Sequence, residues 1–345
     1  MLGTKESRSV LGLARVLAIV GVICAMPGAS AAGGHCTDTA NALFTACGFS
    51  VQDDFWVASA RCINVSDQKE RNECNQDAAQ ERRESSRLCR DQLNWRLAAC
   101  GVIGEGRYDP DFDPALFDSD FARLTKPNPY FPLGIGNRWE YKSADEVNTV
   151  EVLDRTKLID GVRCIVVLDQ VFRHGELTED TNDWFAQAKD GTTWYCGEET
   201  KDLESFNGDH PKLPELVSID GSFKAGRDRD KPGIIFLASP APGDAYLEEF
   251  SLDNAEDVTE ILSTSYAYGH DSALDEMVPK ALAQALCHGD CVVSKNYSLL
   301  EPGVISRKYY APGIGVFLEV EPDDQVVVRL TSCNFDPRCA TLPAP

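Results

Sequence analysis

The chain has 345 residues, 43% hydrophobic and 9% aromatic, enough to bury a real core and too apolar for wholesale disorder. Fifty-five acidic residues against 33 basic leave a net charge of −22, which repels nucleic acid and anionic lipid headgroups. The excess is uneven: residues 36–100 hold ten acidic and eight basic side chains, whereas residues 101–345 hold 44 and 22.

Residues 1–31 read as a signal peptide. Lys5, Arg8 and Arg15 supply a basic start, "VLAIVGVICAM" a short apolar run, and "ASA" at 29–31 a small-residue cleavage site. The run is short for a membrane span. Ile23 stands before Cys24, where a lipid-anchor site calls for a small residue, so cleavage after Ala31 is the expectation. The mature protein should then be secreted or periplasmic, with no transmembrane segment left. Twelve of the thirteen cysteines remain, an even number that reads as a disulfide framework formed in an oxidising compartment.

Residues 32–104 are predicted to form a Cys-rich helical hairpin. Its cysteines, at 36, 47, 62, 74, 89 and 100, are separated by 11, 15, 12, 15 and 11 residues, a mirror pattern. "DAAQERRESSRLCRDQLNWRLAAC" has strong helix formers and neither Pro nor Gly. Eleven residues return to nearly the same helix face but climb about 16 Å, too far for a bridge within one arm. Pairing across two antiparallel arms solves the geometry: Cys36–Cys100, Cys47–Cys89 and Cys62–Cys74. Gly48, followed by Ser50 and Asp53, predicts a break in the first arm.

Residues 105–136 read as an acidic, Pro-containing linker. Asp109, Asp111 and Asp113 have the D-x-D-x-D spacing that offers oxygen ligands to calcium. Pro114 occupies the position where an EF-hand loop needs Gly, and Asp120 stands where it ends in Glu. A structured acidic linker therefore fits better than a metal loop, and no cofactor is expected.

From 137 to 345 the pattern changes to period two, and an antiparallel β-rich domain is predicted. "NRWEYK", "NTVEVLD", "VRCIVVLDQVF", "ELTEDTNDWFAQAK" and "TTWYCGEE" are successive strands. Turns fall at 159–161, 174–175 and 189–191. Later strands are expected at 245–252, 258–267, 292–299, 304–311, 314–320 and 325–332, with a short helix in "DEMVPKALAQAL". Consecutive hairpins imply a curved sheet, sandwich or barrel. The fold class is thus α+β: a stapled helical hairpin plus a larger antiparallel meander.

Along "ELTEDTNDWFAQAK", Glu179, Thr181, Asp183, Phe185 and Gln187 share one face, and Trp184 lies on the other. With Trp194 and Glu198 from the next strand, Glu179, Asp183, Trp184 and Gln187 are candidate residues for a polar-ligand pocket, carboxylates and amide bonding the ligand and Trp stacking on it. A half-exposed sheet with core tryptophans explains the same pattern. Cys287–Cys291 and Cys333–Cys339 would close small loops. In a simple meander Cys164 and Cys196 both fall opposite Phe185, two strand spacings or about 9.6 Å apart, so they are expected to pair elsewhere.

The chain has no G-x-S-x-G elbow, H-E-x-x-H helix or phosphate-binding glycine loop. The blocks "NPYFPLGIGNRWEY", "EDTNDWFAQAKDG", "WYCGEE", "SFKAGRDRDKPGI" and "KYYAPGIG", spread over 128–332, resemble a family of secreted bacterial proteins to which no activity is assigned. The resemblance implies an exported bacterial protein with a β-rich body and carries over no catalytic residues. The leading expectation is a non-enzymatic exported protein that binds a small polar ligand or an envelope protein. The alternatives are a secreted hydrolase using paired carboxylates and a docking module acting through the hairpin.

Overall fold

The computed structural model describes residues 34–344, so the expected signal peptide lies outside the described residues. Helix α1 (His35–Ile63) and helix α2 (Gln68–Ile103) form an antiparallel hairpin. Asp67 caps α2: its carboxylate accepts from the backbone N–H of Lys69 and Glu70 at 2.8 and 2.9 Å. The three bridges follow the mirror: Cys36–Cys100, Cys47–Cys89 and Cys62–Cys74. On α1 the buried residues are Ala40, Val51 and Cys62, a seam too thin to hold two long helices by apolar burial alone. The bridges supply what the seam lacks. The break expected at Gly48 does not occur. Gly48 faces open space, and the helix runs through it. An interior glycine costs only about 1 kcal/mol, and the adjacent Cys47–Cys89 bridge holds the chain against α2 at that point.

The body begins with β1 (Arg138–Lys142), β2 (Glu146–Ile159), β3 (Val162–Arg173), β4 (Glu176–Gln187) and β5 (Thr193–Glu199), each antiparallel to the last. Four short strands not expected from periodicity follow: β6 (Asp202–Glu204), β7 (Glu215–Ser218), β8 (Phe223–Lys224) and β9 (Gly233–Phe236). At two to four residues they offer too few positions for alternation to show. Then come β10 (Ala245–Leu247), β11 (Asp257–Tyr266), helix α3 (Lys280–Leu286), β12 (Cys291–Ser298), β13 (Ser306–Ala311), β14 (Gly315–Glu321) and β15 (Val326–Cys333).

The sheet order is β10-β11-β12-β13-β14-β15-β1-β2-β3-β4-β5, with β8 and β9 both added to β5. Its ends then meet. Lys231, just before β9, bridges Phe250, just beyond β10, with a 3.1 Å backbone hydrogen bond. Gly233 makes this possible: a Cβ there would lie 1.8 Å from the carbonyl oxygen of Glu248. The sheet is therefore rolled into a barrel whose closing seam is a close backbone approach.

The linker is ordered and covers the outside of β3–β5. Phe112 and Phe117 pack on Trp184, Trp194, Val166 and Ala186. Under this cover Cys164 bonds Cys196, which overturns the expectation that they pair elsewhere. The residues opposite Phe185 are Ile165 and Tyr195. A bulge at Trp184/Phe185 leaves Cys196 without a cross-strand partner and shifts it toward β3. The Cα atoms come within 6.7 Å, inside bonding range. Between the two strands lies Ala186, fully buried, whose small side chain leaves room for the bridge. Cys287–Cys291 and Cys333–Cys339 are also bonded.

Candidate functional site

Alternation places the sequence-predicted residues on two sides of the barrel wall. Glu179, Asp183 and Glu198 face inward, with Asp183 directly opposite Glu198 on the neighbouring strand. Trp184 and Trp194 face outward beneath the linker, where the Lys157 ammonium lies 3.3 Å from the centre of the Trp184 ring. Carboxylates and tryptophans therefore do not line one pocket. Gln187 is fully buried, and its amide donates to the carbonyls of Ala188 and Thr192 at 3.4 and 3.3 Å. It is a turn-holding residue.

The inward carboxylates form an unusual cluster. Tyr195 Oη lies 2.5 Å from Asp183 Oδ1 and 3.1 Å from Glu198 Oε2. One hydroxyl proton cannot serve both acceptors at once, so full bonding of this trio needs a proton on a carboxyl. Electrostatics agree. Burial, reinforced by the negative charge of Asp169, pushes Asp183 up to about 8. Burial and the charge of Asp183 push Glu198 up to about 8. Burial and neighbouring Glu179 raise Asp169 to about 7. Burial also raises Glu179 and Glu249. On the facing wall, burial opposes the charge of Lys308, but Glu319 and Glu248 outweigh it and hold the ammonium above its usual range. Asp183 adjoins a cavity of about 100 Å³ walled by Phe131, Leu133, Tyr141, Val167 and Phe185. That is below the few hundred Å³ of an ordinary small-molecule site.

Asp109, Asp111 and Asp113 do not converge on a metal. Asp109 pairs with Lys231 at 2.6 Å, Asp113 caps the turn Pro114–Leu116 through Ala115 N–H, and Asp111 accepts from Asp113 N–H. One oxygen of each carboxylate is held by the chain itself, which ties the segment down as a structured linker.

A larger concavity lies where the hairpin meets the barrel. The C-terminal half of α2 docks on β10–β12: Trp95 packs edge-on against Tyr297, and Gln92 donates to the carbonyl of Leu300 at 2.9 Å. Arg96 and Glu256, both buried, form a two-pronged ion pair at 2.8 and 2.9 Å. Beside this joint opens a crevice of about 730 Å³, within the usual size range of ligand sites. Leu43 and Ala42 of α1, Ile103 of α2, and Leu247, Phe250 and Leu252 of the barrel wall it. The buried Arg96–Glu256 pair and the less buried His35, Asp38 and Lys231 also line it. Tyr108 Oη is already committed to Pro232 O at 2.8 Å. The walls are therefore apolar and the polar groups largely satisfied. Sequence reasoning did not find this site, because its walls come from segments some two hundred residues apart, each with an ordinary apolar residue.

No protein-family model matches the chain, and no curated protein does. Among solved structures, one described as a lipoprotein of Parabacteroides distasonis aligns with a TM-score of 0.29 and 11% identity, over 61% of this chain and 100% of that one. A likeness of that size carries no argument. Among the described residues no helix is long and apolar enough to cross a membrane.

Proposed function

We propose that this is a non-enzymatic binding protein of an extracytoplasmic compartment, and that the hairpin–barrel crevice takes a small, mainly apolar ligand. The observation that carries the reading is the crevice itself: ligand-sized, apolar-walled, and set between two units joined by a buried ion pair. Six disulfides support an oxidising compartment, as do the expected signal peptide and the resemblance to secreted bacterial proteins.

The test uses mature, unreduced protein and a fluorescent naphthalene-sulfonate dye as the apolar probe. Native mass spectrometry should find a co-purifying small molecule, or dye titration should give saturable binding. Ala42→Trp fills the crevice from an exposed helix position and should weaken dye binding at least about tenfold, the effect of losing roughly 1.4 kcal/mol of contact. Its melting temperature should not move. Equal dye affinity in this variant removes the crevice as the site.

A further inference from the structure

The outward face of α1 carries a stripe that neither the hairpin seam nor the crevice uses. Phe49, Trp56 and Ile63 are 72%, 67% and 76% exposed, among the highest values for the large hydrophobic side chains described. They recur every seven residues, so they lie on one helix face, opposite the Cys36–Cys47–Cys62 stripe that faces α2. Small neighbours flank the stripe at Ala46 and Ala60. Three large exposed apolar side chains in register on one helix face, about 10 Å apart, are candidate contact points for a partner.

We propose that this face joins a second copy of the chain, α1 against α1, antiparallel about a two-fold axis at Trp56. Equal spacing makes the stripe self-complementary: Trp56 meets its own copy, and Phe49 meets Ile63 at both ends. The only acidic residue beside the stripe, Asp53, falls opposite Ser59 and Ala60 in this register, so no like charges meet. Charge also selects the direction. The barrels hold the acidic excess, while residues 36–100 are close to balanced. An antiparallel contact sends the two barrels to opposite ends of the pair, where their repulsion is least. Six large side chains bury roughly 1,000 Å², near the lower limit of about 1,200 Å² for specific interfaces. The dimer is therefore weak, with dissociation in the micromolar range.

Sedimentation of the full mature chain should show a reversible monomer–dimer equilibrium. Trp56→Glu should shift it at least tenfold toward monomer with an unchanged circular dichroism spectrum; Phe49→Ser with Ile63→Ser gives a second route to the same readout. Trp56→Cys should form an intermolecular disulfide under air, whereas Val57→Cys, a 100° turn away, should not. A native chain that stays monomeric through the micromolar range overturns the proposal. So do equal crosslinking at both positions and a dimer indifferent to Trp56→Glu. A larger complex with another protein that forms only while Trp56 is intact would assign the face to a different partner and overturn the self-contact.

Discussion

At the scale of single residues, the acid cluster inside the barrel has the clearest consequence. Burial, with the charge of Asp169 beside Asp183 and that of Asp183 beside Glu198, pushes both carboxyls up to about 8. An unfolded chain would ionise them near pH 4. Between those limits the native state binds more protons, so stability is full below about pH 4 and is lost as pH rises toward 8. The slope should approach 1.4 kcal/mol per pH unit for each group. Urea unfolding at pH 5, 7 and 9 should show falling midpoints, and Asp183→Asn should flatten the trend. A midpoint that rises over this window would show that the cluster is ionised and compensated. Period two put Glu179 and Asp183 on one face, as the structure has them; Glu198 was grouped with them as a pocket residue from the next strand and stands opposite Asp183. What the pattern could not tell was which face looks inward, and a carboxylate-rich face is an improbable lining for a barrel. The depth of burial that raises these carboxyls depends on strands far away in sequence.

At the scale of elements, the hairpin and the meander were unequally legible. Helix geometry is rigid, so the intervals between six cysteines suffice to place two helices and three bridges. Sheet geometry bends: one bulge at Trp184/Phe185 moved Cys196 off its counted position and made a bond where a flat sheet forbids one. Short strands such as β8 and β9 have no period to read. The hairpin's dependence on its bridges is testable. Replacing Cys47 and Cys89 together by Ala should destabilise the arm by about 2–4 kcal/mol. Hydrogen exchange should then lose protection along α1 while β12–β14 stay protected. Uniform loss throughout the chain would mean that the arm and barrel unfold as one unit.

At the scale of the whole molecule, the joint between arm and barrel rests on the Arg96–Glu256 pair, with Gln92 and Trp95 beside it. Removing one partner strands a buried charge, so Glu256→Gln should cost about 3–5 kcal/mol. The pair Arg96→Met with Glu256→Leu should recover most of that loss. No recovery would show that the joint needs the charges themselves. Nothing in the local sequence marks either residue, since each is one of many charges on its element. The six bridges have a further property as a set: drawn along the chain, none crosses another. For a polypeptide crossing a membrane N-terminus first, this works as a last-in, first-out stack. Cys36, Cys47 and Cys62 wait in turn; Cys74 takes the newest thiol, Cys89 the next and Cys100 the oldest. Later pairs open and close one at a time. Once α1 is helical, about 16 Å separates Cys36 from Cys47 and disfavours the premature bond. Order of emergence together with early helix formation in α1 thus sorts the thiols, with little work left for an isomerase.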